Sequence, residues 1–145
     1  MGEARLLVDQ AWAAIESGDI ERLAELFSAD AELTTAAAGG RGVDYVMRVF
    51  RRHHEAYPDL SHEIVDSIES EDGGAVAMEI DFEGTHRGEL NGPQGAIPPT
   101  GRWLRWRSAD HVRARDGRIV SWRAHFDRLV MRQQLGLEAP APAAR

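Results

Sequence analysis

Apolar residues recur at helical spacing through the first third of the chain and with period two through most of the rest. Leu7, Val8, Ala11, Trp12 and Ile15 form one helical stripe that stops before Ser17-Gly18-Asp19, where Asp19 is placed to cap a second short helix carrying Ile20, Leu23, Leu26 and Phe27. A loop from Ala31 to Gly42 follows, with Glu32 to Thr35 a candidate short strand inside it. Val43, Val46, Met47, Phe50, His54 and Tyr57 then mark the stripe of a third helix, which ends at Pro58 because the proline ring cannot continue it. Beyond this point the period changes. Leu60, His62, Ile64 and Ile68 predict a strand, Asp72-Gly73-Gly74 a turn, and Val76, Met78, Ile80 and Phe82 a second strand alternating with Glu79, Asp81 and Glu83. A glycine- and proline-rich loop from Glu89 to Gly101 leads into a long hairpin, and a helix from Arg128 to Leu135 closes at Gly136. The last segment, 138–145, reads EAPAPAAR and is expected to be a disordered tail, which leaves one folded domain over 1–137. Helices first and a mostly antiparallel sheet afterwards is an α+β layout. If the sheet curls around the helices, its concave side becomes a pocket.

The hairpin is the most informative stretch. Its arms, 102–114 and 118–127, are joined by Arg115-Asp116-Gly117, read as a type I turn followed by a glycine at positive φ. Such a loop sets Ala114 opposite Arg118 and puts the even positions of both arms on one face. That face collects Leu104, Trp106, Ser108, Asp110, Val112, Val120, Trp122, Ala124 and Phe126, with Asp110 directly across from Trp122. The other face carries Trp103, Arg105, Arg107, His111, Arg113, Arg123, His125 and Asp127. A lone acid among indoles is a candidate catalyst, because desolvation raises its pKa toward the range of general acid or base chemistry. The competing reading is a structural carboxylate satisfied by a backbone amide or an arginine.

Composition narrows the chemistry. The formal net charge of −7 over 145 residues argues against nucleic acid or an anionic membrane as partner, and no apolar run is long enough to span a bilayer. A cytoplasmic protein is therefore expected. Cysteine is absent and all 17 basic residues are arginine, so neither a thiolate nucleophile nor a lysine Schiff base is available. The six histidines show no paired spacing of metal ligands, and no metal is expected. The run Arg102 to Arg107 interleaves arginine with tryptophan as single-strand binders do, but strand alternation sends Arg105 and Arg107 outward, toward expected partners Asp81 and Glu83.

Six motifs in order, Ser17-Gly18-Asp19, Tyr57-Pro58-Asp59-Leu60, Gly84-Thr85-His86-Arg87-Gly88, Ile97-Pro98-Pro99-Thr100-Gly101, Asp116-Gly117-Arg118-Ile119 and Arg132-Gln133-Gln134-Leu135-Gly136, resemble the SnoaL-like polyketide cyclase family over nearly the whole chain. The resemblance implies the nuclear transport factor 2-like fold, a cone of α+β architecture, and a pocket performing cofactor-free acid/base chemistry on polycyclic ketones and esters. It also exposes departures. Where the family's cyclases carry their catalytic aspartate, three residues before Asp127, this chain has Ala124, and where they carry an assisting histidine it has Asp110. Trp12 stands where active relatives carry tyrosine, and the segment between Gly88 and Ile97 is longer than usual.

The expected catalytic group is Asp110, with His86 and Asp127 as further candidates. His86 shares the inward parity of Phe82, but a register pairing Glu83 with Arg105 puts it opposite Arg102, about 27 Å along the strand from Asp110 and at the pocket rim. Asp127 is read first as the cap of the last helix and second as the family's recurrent acid. Trp12, His54, Trp106, Ser108, Trp122, Ala124 and Phe126 are the expected substrate-binding residues. The ligand is expected to be a small apolar polycyclic or aromatic ketone or ester, turned over without a cofactor. A non-catalytic binding protein using the same pocket, and an accessory hydroxylase or epoxide-opening enzyme, are the alternatives. Trp103 on an outer sheet face points to a homodimer.

Overall fold

The computed structural model describes residues 1–92 and 95–137, and the tail expected over 138–145 lies outside them. Helix α1 (Glu3–Ser17) buries Leu7, Val8, Ala11, Trp12 and Ile15, the stripe set by their spacing. It stops at Gly18, whose φ of +81° lets the Gly18 and Asp19 amides donate back to the Ile15 and Ala14 carbonyls. The same glycine permits a close approach, since a Cβ there would stand 2.9 Å from Nε2 of His54.

The second helix is shorter than its periodicity suggests. Asp19 makes no side-chain cap; a 3₁₀ turn over Ile20–Arg22 leads into α2 (Leu23–Leu26), and Phe27 already belongs to strand β1 (Phe27–Thr34). Tertiary pairing decides this. Phe27 is fully buried, stacks on Trp122 at 5.9 Å and pairs with Ile119, contacts that a further helical turn would forfeit. Strand β2 (Gly39–Arg41) returns antiparallel to β1, and α3 (Val43–Ala56) follows.

The rest is sheet: β3 (Ser61–Glu69), β4 (Ala75–Thr85), β7 (Trp103–Arg115) and β8 (Arg118–Phe126), with β5 (Leu90–Gly92) and β6 (Gly95–Ile97) forming a separate small hairpin where a plain loop was expected. The main sheet runs β2-β1-β8-β7-β4-β3, antiparallel except for the β1 and β8 pair. Its inner face, from Val76, Met78, Ile80, Phe82, Leu104, Trp106 and Trp122, closes on α1 and α3. On the outer face Asp81 pairs with Arg107 and Arg105, at 2.7 and 3.1 Å, in the expected register. The Arg107 guanidinium hydrogen bonds hold the Asp81 carboxyl down at about 2.

The hairpin differs from the sequence reading in its turn. Asp116 and Gly117 both have positive φ, 53° and 77°, so the connection is a two-residue type I′ turn with Arg115 opposite Arg118. Beyond the turn Ala114 faces Ile119, Arg113 faces Ser121, and Val120 is an extra residue bulged out of β8. The bulge has two consequences. Ile119 rather than Val120 is buried beside the turn, and Asp110 stands opposite Ala124 while Trp122 stands opposite Val112.

Helix α4 (Arg128–Gln134) begins at Asp127, whose carboxylate accepts the Val130 amide at 3.1 Å. Asp127→Ala is expected to cost about 1 kcal/mol in chemical denaturation, and Asp127→Ser to recover most of it, because serine accepts the same bond. Equal loss in both variants would show that the cap is not what Asp127 contributes.

Candidate functional site

Helix α3, the open side of the sheet and the β5/β6 hairpin enclose a cavity of about 730 Å³. This is the size of a small-molecule site. The floor is buried and mostly aromatic: Trp12 from α1, Phe50 from α3, Phe82 from β4, and Trp106, Ser108 and Asp110 from β7. Trp106 stacks on Phe82 at 5.5 Å, and Trp12 packs against Phe82 at 4.8 Å. Leu33, Ala124 and Phe126 form a wall. The exposed rim carries Arg48, Arg52, Glu55, Glu89 and Asn91, with half-buried Tyr45, Leu90, Gly92 and Arg128 beside them.

Asp110 is 1% exposed and reaches this floor because β7 alternates strictly, burying each even position from Leu104 to Val112. One carboxylate oxygen accepts the Ser108 hydroxyl and the other accepts Nε1 of Trp122 at 2.8 Å. Burial raises the pKa of the acid, while these two donors and the charges of His125 and His111 pull it back down. The raised direction is the net result.

Six of the expected contact residues line the cavity: Trp12, Trp106, Ser108, Asp110, Ala124 and Phe126. Four do not: Trp122, His54 and His86 are corrections, and Asp127 keeps its first reading as a helix cap and loses its second as a catalytic acid. Trp122 lies beneath the floor, stacked on Phe27, and supports the cavity from below through its hydrogen bond to Asp110 and its packing on Trp12 and Phe50. His54 turns against Gly18. His86 is fully buried rather than at the rim: its amide bonds the Arg102 carbonyl at 2.8 Å, its Nδ1 accepts the Thr100 amide at 3.2 Å, and its ring packs on Tyr57. Strand register carries it away from Asp110, and Tyr57 stands between it and Trp106. Asp127 caps α4 and lines no part of the cavity.

His53, not His54, is the histidine of the site. It lines the cavity amid the rings of Trp12, Tyr57, Phe82 and Trp106, and burial together with the neighbouring His54 depresses its pKa to about 4. At neutral pH it is therefore an uncharged imidazole, able both to donate and to accept a hydrogen bond. The signal was present in the sequence: 46, 49, 50, 53 and 57 form a helical stripe as regular as the one that includes 54. Among the described residues, no group of three or more histidine or acidic side chains could hold a metal ion, and no helix is long and apolar enough to cross a membrane.

An α+β cone with an aromatic, acid-bearing pocket at its open side is the nuclear transport factor 2-like fold. The chain belongs to the SnoaL-like polyketide cyclase family, which it matches over residues 4–135. Similar solved structures include IdmH from Streptomyces antibioticus, assigned as a polyketide cyclase (29% identity, 90% of this chain and 96% of that one, TM-score 0.72). TsrD from Streptomyces laurentii is 24% identical, with 92% and 95% covered and a TM-score of 0.77. An epoxide hydrolase from M. tuberculosis shares the fold at 20% identity, with 92% and 89% covered and a TM-score of 0.67. No curated protein sequence matches the chain.

The raised Asp110 pKa sets a pH dependence. In the unfolded chain the acid ionises near its ordinary 3.8, and in the folded protein only at higher pH, so the folded state binds more protons between the two values. Stability contributed by neutral Asp110 is thus full below 3.8 and falls as pH rises through the folded value. Asp110→Asn, which keeps the shape without the charge, is expected to raise the melting temperature at pH 7 relative to the wild type and not at pH 3.5. A pH-independent difference in thermal denaturation would contradict it.

Proposed function

We propose that the protein is an enzyme in which Asp110 transfers a proton to or from an apolar polycyclic or aromatic ketone or ester, without a cofactor. The observation that carries this reading is the single buried carboxylate on the aromatic floor of a ligand-sized cavity. Family membership supports it, as does the presence of cyclases among the family's named activities. Trp106, Phe82 and Trp12 would hold the flat apolar body, leaving its reactive carbon against Asp110.

The local geometry suits both protonation states. A carboxylate offers about four lone-pair sites, and Ser108 and Trp122 occupy two of them, so the ionised acid keeps acceptor capacity for a substrate proton. Once protonated, Asp110 can donate to the Ser108 oxygen, while the serine hydrogen turns toward the His125 carbonyl, 3.5 Å away. The indole N–H of Trp122 remains on the other oxygen throughout and fixes the plane of the carboxyl. His53 would supply a neutral hydrogen-bond donor to the substrate carbonyl as negative charge develops there.

Ala124 favours a second reading, a binding protein that carries or senses the same class of molecule. The cyclases this chain resembles have an acid at that place, and here the residue across from Asp110 has no functional group. We further propose a homodimer joined through the outer sheet face, where Trp103 is 57% exposed.

Asp110→Asn separates enzyme from carrier. With a ketone or ester that the wild-type protein converts, the variant is expected to lose about 100-fold or more in kcat, within the usual worth of a general acid or base, while still binding the compound. Turnover unaffected by the substitution would remove Asp110 from the chemistry, and a panel of polycyclic ketones bound by the wild type but never converted would favour the carrier.

A further inference from the structure

The opening of the cavity carries three guanidinium groups that make no close ion pair with a carboxylate among the described residues. Arg48 and Arg52 lie one turn apart on α3, Arg128 opens α4, and all three line the cavity. Elsewhere arginines that meet acids do so closely, Arg107 on Asp81 at 2.7 Å and Arg51 on Glu21 at 2.7 Å. None of the three makes an ion pair among the described residues, although Glu55 and Glu89 share the rim. Arg48 instead lies over the Tyr45 ring, 5.5 Å from its centroid. With Glu55 and Glu89 counted, the three arginines still leave the rim one positive charge, in a chain of net charge −7.

The floor has the reverse character, apolar with one acid. A ligand anion placed deep would face Asp110, whereas at the rim it would meet planar guanidinium forks that match carboxylate geometry. We propose that the polycyclic or aromatic ketone or ester also carries a carboxylate, its ring system on Trp106 and Phe82 and its carboxylate at the rim with Arg48, Arg52 and Arg128. This rests on the cavity being the substrate site and adds the charge and direction of what enters. The polarity fixes orientation: the end of the molecule remote from the carboxylate is the one delivered to Asp110.

A matched pair of probes tests it, anthraquinone-2-carboxylate and anthraquinone-2-carboxamide, titrated into the whole protein with tryptophan fluorescence as the readout. The carboxylate is expected to bind about tenfold more tightly or better. Raising NaCl from about 50 to about 500 mM should narrow that ratio, since rim charges are screened. In the Arg48→Gln, Arg52→Gln, Arg128→Gln triple variant the ratio should fall to about one, while exposed Arg113→Gln should leave it unchanged. The amide's affinity in the triple variant reports whether the floor is intact; if it is lost, the three single substitutions decide by the same ratio. Equal affinity of the two probes for the wild type, or a preference that survives the arginine substitutions, overturns the inference and leaves the apolar site standing. Failure of both probes to bind overturns the site itself.

Discussion

A carboxylate buried among indoles is tolerable only where its oxygens are hydrogen-bonded, and in this protein the bond from Trp122 ties the acid to the rest of the fold. Trp122 is 1% exposed, stacks on Phe27 and stands beside Leu33 across the parallel β1 and β8 pair. Its other neighbours, Trp12 and Phe50, belong to α1 and α3 and reach the cavity floor themselves. One indole therefore links both helices, the parallel strand pair and the acid. Packing that holds Trp122 in place also aims Asp110, so the site is as rigid as the core beneath it.

That linkage explains why the bulge at Val120 matters. Without the extra residue, the register at the turn would continue along β8 and bring the opposite set of side chains inward from Trp122 onward. The bulge restores even parity at Trp122, Ala124 and Phe126, so the inward set read from alternation is right there despite a wrong turn type. Alternation is legible because one face is apolar. Turn type is not, since Asp-Gly fits both a three-residue loop with a bulged glycine and a two-residue I′ turn. The site consequence is small in sequence and large in space: Trp122 reaches Asp110 diagonally, leaving Ala124 across from it.

The four long strands and the charge ladder of Asp81 with Arg105 and Arg107 were readable because each rests on local alternation or on opposite charges directly across a ladder, whereas β2 and the parallel pairing of β1 with β8 were not. The site was readable only in part. His53 and His54 are adjacent on a helix, and both fit an apolar stripe; the choice is made by Gly18, which draws His54 into the α1 to α3 contact and leaves His53 to the cavity. Phe27 fits the helical stripe before it, yet belongs to β1 because Trp122 and Ile119 are its partners. The β5/β6 hairpin is local, but strands of three residues are too short for alternation to show, and the meeting of the α3 and α4 arginines at one rim depends on distant segments, which no periodicity encodes.

Ala124 looks at first like a loss, because the resemblance drawn from the sequence implies an acid at that place. Its position across from Asp110 gives it another meaning. Side chains directly opposite in an antiparallel pair have Cβ atoms about 4.5–5.5 Å apart. Two carboxylates at that spacing in a buried site repel, and one of them stays protonated well above its ordinary range. An acid at 124 facing Asp110 would leave the pair sharing a proton, whereas alanine leaves Asp110 to titrate as one group, opposed by burial and aided by Ser108 and Trp122. The small methyl also keeps the wall low beside the carboxylate, where a longer side chain would project over it. Asp110 and Ala124 are in this sense a single arrangement: an acid on one strand requires its neighbour on the next to be neither charged nor large.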